Sequence, residues 1–145
     1  MNDVIRDEPT RGYWIISIVA LLWNLLGVMA YMMHVTLTAE DFAAMGEAER
    51  ALYTGAPTWV TGAYAIAVFG GTLGSVALLL RKSWAVPVFA ISLLAILAQM
   101  GYSLLMTNVI EVMGAGSVIM PLVVIAIGVY LVMFARSSKK RGILS

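Results

Sequence analysis

Four apolar runs in this chain contain no Asp, Glu, Lys or Arg: Tyr13 to Val35, Trp59 to Leu80, Trp84 to Met106 and Val118 to Ala135. Runs of about 18 or more apolar residues read as membrane-crossing helices. At that depth no water meets the backbone, so only helices and closed barrels satisfy every N–H and C=O. Barrel strands are short and alternate in polarity, whereas these runs are long and unbroken. The expected fold is therefore an all-α membrane protein, a four-transmembrane-helix bundle forming one domain over residues 1–145. Composition agrees. Only 12% of the 145 residues are charged, about half the roughly 25% of soluble domains. Hydrophobic residues make up 61% and the mean hydropathy is +0.93.

Orientation follows from the cations. Arg6 and Arg11 precede the first run, Arg81 and Lys82 fill the turn between the second and third, and Arg136, Lys139, Lys140 and Arg141 follow the fourth. Only Arg50 falls on the other side. Cytoplasmic loops carry the excess of Lys and Arg, so both termini are expected in the cytoplasm and the protein in the bacterial inner membrane. Tyr13, Trp14, Trp59 and Trp84 stand at run ends, where amphipathic rings prefer the headgroup level. The flank MNDVIRDEPTR carries acids as well as bases. The run after it exceeds a signal-peptide core, so no cleaved leader is expected.

The connection TLTAEDFAAMGEAERALYTGAP is expected to hold a short extracytoplasmic surface helix over about residues 39–53. Thr38 and Asp41 have capping-box spacing, and Gly55 with Pro57 supply a stop. The second outer connection, TNVIEVMGAG, is short, with Gly114 and Gly116 permitting a turn. Pro87 and Pro121 sit early in the third and fourth runs. There the missing N–H costs nothing, so both mark helix starts rather than kinks.

Lipid supplies no hydrophobic drive between helices, so small residues that permit close approach matter more. The segment GGTLGS pairs Gly70 with Gly74 and Gly71 with Ser75 at a spacing of four, with Gly62 further up the same run. These five residues are expected to pack helices together, which puts the second span inside the bundle. Two amides lie at depth, Asn24 in the first span and Gln99 in the third. Each is expected to face protein, and a hydrogen bond between them would satisfy both. Ser17, Asn24 and Tyr31 repeat at seven, as do Ser92 and Gln99; both sets have single-face spacing.

Toward the outer ends stand Tyr31, His34, Trp59, Tyr64, Tyr102, Asn108 and Glu111. Together with Asn24 and Gln99, the residues Tyr31, His34, Tyr64, Tyr102, Asn108 and Glu111 form the candidate ligand site. Aromatic faces stack on sugar rings while amides, a hydroxyl and a carboxylate read ring hydroxyls. An interfacial aromatic belt with solvated polar residues is the plainer alternative. His34, the sole histidine, is placed to pair with Glu111.

Catalysis is not expected. No nucleophile–base set or metal set is visible, and GGTLGS lacks the lysine of a phosphate loop. No cofactor and no metal are therefore expected. The basic tail RSSKKR reads as a topology signal beside a span, not as a nucleic-acid site.

The segments WNLLGVMAY, ERALYTGAPTWVTGAYAIAVFGGTLGS, LLLRKSWAVPVF, LAQM and IMPLVVIAI…VMFARS resemble a family of small bacterial four-helix inner-membrane proteins commonly labelled sugar transporters. The resemblance covers nearly the whole chain. It implies the four-helix fold and transport of a sugar-like solute. Ion-coupled carriers usually keep an acid within a span; none is present here, so passage without proton coupling is expected. The alternative is a non-catalytic accessory or assembly subunit of a larger membrane complex. Expected partners are the lipid bilayer and either further copies of this chain or such a complex.

Overall fold

The structure is a computed structural model that describes residues 8–145; Arg6 lies outside them. Seven α-helices follow in order: α1 (Arg11–Val35), α2 (Ala39–Ala44), α3 (Glu47–Thr54), α4 (Thr58–Leu79), α5 (Ala85–Met106), α6 (Val109–Met113) and α7 (Ile119–Lys140). Among the described residues there is no strand. The helices α1, α4, α5 and α7 are long and apolar enough to cross a membrane, which points to a membrane protein. At 22 to 25 residues each, they rise about 33–37 Å against a hydrocarbon core of about 30 Å.

Local chemistry sets the helix ends. The Thr10 hydroxyl caps α1 by accepting from the Tyr13 amide at 3.2 Å. Thr38 and Asp41 form the expected capping box: the Thr38 amide donates to Asp41 Oδ2 at 2.9 Å and the Asp41 amide to Thr38 Oγ1 at 3.2 Å. The outer segment is not one helix over 39–53, however. It breaks at Met45 and Gly46, whose extended backbone separates α2 from α3. Pro87 and Pro121 each occupy the third position of their helices, as expected of helix starts. The last helix runs to Lys140, five residues past the apolar run, because SSKK continues the helical pattern with its charged groups in water.

The long helices pack in chain order: α1 along α4, α4 along α5, and α5 along α7. Helices α1 and α7 do not pack along their lengths, so the bundle is a curved row rather than a closed square. Helix α4 is the most buried of the four, with α1 on one side and α5 on the other. Its glycines explain this. A Cβ at Gly70 would sit 3.2 Å from Ser92 Cβ, and one at Gly74 would sit 2.8 Å from the Phe89 ring. On the α1 side, a Cβ at Gly71 would fall 2.0 Å from Asn24 Oδ1. Gly62 does not belong to this set. It is exposed, with nothing within 4 Å of its would-be Cβ. Eight residues of helix turn the face by about 80°, which carries Gly62 away from the side Gly70 presents.

The end of the bundle holding Arg11, Arg81 and Lys139 (the basic end) is closed. Helix α4 finishes in a Schellman arrangement, with the Lys82 amide donating to Ala77 O at 2.8 Å and the Arg81 amide to Leu78 O at 3.0 Å. Arg81 takes the left-handed position, φ 56°, that glycine usually fills. Helix α7 ends the same way around Gly142, φ 77°. The tail then lies across the α4–α5 turn. The Ser145 amide donates to Arg81 O at 3.0 Å, the Ser83 amide to Ser145 O at 3.2 Å, and Arg81 Nε to Ile143 O at 3.1 Å. Ile143 and Leu144 are buried with Tyr13, Ala77, Ala85 and Phe89. The Tyr13 hydroxyl donates to Leu78 O, and its ring stacks on Phe134 of α7 at 5.6 Å. This is where α1 and α7 meet.

Candidate functional site

Above that base lie an inner cavity and a vestibule. The inner one, about 410 Å³, is lined by all four long helices midway along them. Its walls are apolar, with Phe89, Ile96, Met120 and Val124 prominent, and Asn24 and Gln99 are the amides that reach it. The second cavity, about 260 Å³, is a vestibule at the opposite, acidic end. It is framed by α3, α4, α5 and the α6 region, and includes His34, Glu49, Tyr53 and Tyr102. Two residues line both cavities, Tyr64 and Gln99. They form the partition between the two.

The two deep amides do not pair with each other. Asn24 Nδ2 donates to Ala20 O at 2.8 Å within its own helix and to Ser75 Oγ of α4 at 3.3 Å. Ser75 Oγ in turn donates to Gly71 O at 2.8 Å. The expected Asn24–Gln99 bond fails for a topological reason. Helix α4 stands between α1 and α5, so the inward face of α1 meets the small residues of α4 first. The heptad sets do share faces, and both turn to α4: Ser17 and Asn24 from one side, Ser92 from the other, where Ser92 Oγ donates to Ala67 O at 2.6 Å. Gln99, one heptad beyond Ser92, clears α4 and is left without a side-chain hydrogen-bond partner among the described residues. Its amide is open to the cavities.

Aromatic rings order the acidic end. Phe42, Tyr53, His34, Tyr64, Tyr31 and Phe69 form one continuous series, with successive centroids 6.2, 5.0, 5.6, 5.3 and 5.8 Å apart. The series ties α2 and α3 to α1 and α4. Across the vestibule Trp59 meets Tyr102 edge-on at 5.6 Å, and the Tyr102 hydroxyl donates to Gly55 O at 3.5 Å. His34 stacks on Tyr64, lies tilted against Tyr53 and does not pair with Glu111.

Of the expected site residues, His34, Tyr64, Gln99 and Tyr102 line the vestibule, and Asn24 lines the inner cavity. Tyr31 lines neither; it buttresses Tyr64 from behind. Asn108 and Glu111 are exposed and line neither, because Asn108 precedes the short α6, which turns Glu111 outward. The carboxylate of the vestibule is Glu49 instead. Glu49, Leu52, Tyr53 and Ala56 recur at helical spacing and all face the cavity. That spacing was present in the sequence and is the signal that identifies them. Outside the spans, Asp41 has its carboxyl held below the ordinary range by the Thr38 backbone and hydroxyl hydrogen bonds. Among the described residues no group of three or more His, Asp or Glu side chains is placed to hold a metal ion.

Comparison with known proteins returns nothing: no family model matches the chain, and no curated protein or solved structure matches it. The resemblance to small four-helix proteins labelled sugar transporters rests on its quoted segments alone.

Proposed function

We propose that this is a multi-pass protein of the bacterial inner membrane, both termini cytoplasmic, that takes up a small, neutral, ring-bearing polar group in its outer vestibule and moves it without proton coupling. The observation that carries this reading is the unpartnered amide of Gln99 on the partition between two cavities. An amide at that depth costs free energy unless something hydrogen-bonds it, and a polar ligand is the group that would. Aromatic rings beside it, Tyr64 and Tyr102, offer flat apolar faces. Glu49 and His34 add an acceptor and a second polar edge. The positive-inside pattern supports an extracytoplasmic vestibule, with α2 and α3 over it at the membrane surface. A solid interior would have favoured an accessory subunit; the cavities favour a ligand. The chain acts here as a non-catalytic carrier.

The test is binding of a panel of neutral monosaccharides and glycosides to the protein in nanodiscs. It is read by fluorescence of Trp59, which touches Tyr102. Saturable quenching that Gln99→Leu removes is the expected result. Uptake into proteoliposomes should then be insensitive to a pH gradient. Failure of every panel member to quench, or unchanged binding in Gln99→Leu, would overturn the reading.

A further inference from the structure

The vestibule suits a polar ring, but the cavity beyond it does not. Below Tyr64 and Gln99 the inner cavity presents apolar walls from all four long helices. Its volume, about 410 Å³, is within the range of about 300–1,000 Å³ that ligand cavities occupy. A polyhydroxy solute placed there would leave most of its hydroxyls unpaired, at a cost for each. An apolar chain would leave nothing unpaired.

The route into this cavity is also unlike that of a water-soluble ligand. Its floor is sealed, where Tyr13 stacks on Phe134 and the buried Ile143 and Leu144 fill the base. Its back wall is the tight α4–α5 pair, held by Gly70, Gly74 and the Ser92 hydrogen bond. The remaining side lies between α1 and α7, which do not pack along their lengths above the base. Leu26 on α1 and Met120 on α7 line the cavity yet are more than half exposed, and Met29, Met33 and Met133 are further exposed apolar residues of the same two helices. In a bilayer the gap therefore opens onto hydrocarbon, not water.

We infer that the ligand is a single-chain amphiphile, a neutral polar ring carrying one apolar chain, with the ring in the vestibule and the chain in the inner cavity, admitted sideways from the bilayer between α1 and α7. The inference rests on the ring-binding reading above and adds the chain. Gln99 is then the residue at the junction, its amide meeting the linkage between ring and chain. Tyr64 separates the polar half of the site from the apolar half. Asn24 spends its Nδ2 donors on Ala20 O and Ser75 Oγ and serves as wall.

The experiment uses the full chain in nanodiscs and an alkyl glucoside with a diazirine midway along its chain. After photolysis, adducts are mapped by mass spectrometry. Adducts on Ile96, Met100 and Val124, competed away by the unmodified alkyl glucoside, are expected. Val124→Trp fills the cavity and should abolish them. Should that variant fail to fold, Val124→Thr keeps the side-chain shape while adding a hydroxyl, and should weaken the same adducts. Adducts confined to outward residues such as Met29, Met33 and Met133, or undiminished in both variants, would overturn the inference. Two controls separate it from the reading it rests on. Monosaccharide quenching that depends on Gln99, without inner adducts, removes the chain and leaves the ring site standing. Equal inner labelling by a diazirine fatty alcohol, unaffected by Gln99→Leu, removes the ring and so overturns the amphiphile.

Discussion

Replacing Gly71 by alanine tests the packing of α1 on α4 most directly. The new methyl carbon would lie 2.0 Å from Asn24 Oδ1 and 2.8 Å from Asn24 Cγ. Both are inside van der Waals contact, so the Asn24 side chain must swing away or the helices must part. Swinging breaks the 3.3 Å bond from Asn24 Nδ2 to Ser75 Oγ. Interhelical bonds of this kind average about 0.6 kcal/mol and reach about 1.7. Forcing a methyl into a filled interface costs about 1–3 kcal/mol more. Alanine's better helix propensity returns about 0.5–1 kcal/mol. The net expectation is a loss of about 0.6–4 kcal/mol. The assay is reversible unfolding in mixed micelles, titrated with a denaturing detergent and followed by circular dichroism. A double-mutant cycle supplies the control. In an Asn24→Ala background the clash partner is gone, so Gly71→Ala should be neutral or slightly stabilising. If Gly71→Ala costs nothing in the wild type, or costs the same in both backgrounds, the α1–α4 contact is not the one described.

Gly62→Ala should stabilise by about 0.5–1 kcal/mol in the same assay, since its Cβ meets nothing and only helix propensity changes. Ser92→Ala should cost about 0.6–1.7 kcal/mol because its hydroxyl bonds across to Ala67 O. Ser17→Ala should cost less, because Ser17 Oγ donates only to Tyr13 O of its own helix. Gly114 sits at φ 89°, ψ 170°, a region nearly closed to other residues, so Gly114→Ala should lose about 1–3 kcal/mol and Gly116→Ala much less. The folded-state pKa of Asp41 is depressed. The capping box therefore supports α2 above the ordinary carboxylate range and is lost as pH falls through the lowered value. Carbon-13 titration should place Asp41 below its usual 3.8, and Thr38→Ala should bring it only part of the way back, because the backbone amide at position 38, the larger cause, remains.

The spans were legible because hydrocarbon tolerates no charge and leaves helices as the answer. Gly70, Gly71, Gly74 and Ser75 were legible as contact residues because their size matters whatever they touch. Their partners were not. Nothing in the spacing of Asn24 and Gln99 says that a third helix stands between them. That fact belongs to the order of helices around the bundle, which local sequence does not encode. Gly62 was misplaced because eight residues are not a whole number of helical turns. Glu111 was expected in the site and Glu49 was not; the break at Gly46 separates α3 from α2, and α3 carries Glu49 to the vestibule. His34 found rings rather than a carboxylate for the same reason, since α3 delivers Tyr53 to it.

The lacing of the tail across the α4–α5 turn has a mechanical consequence. Helices α1 and α7 are pinned beside each other at Tyr13 and Phe134 and separate beyond that point. They are two arms on a shared pivot, so any widening between them is angular. Over about 30 Å of helix, a tilt of about 5° carries an arm's tip about 2.6 Å sideways while the pivot hardly stirs. Small strains at the basic end are thereby magnified at the far one, and the molecule behaves as a pair of tweezers rather than a sliding door.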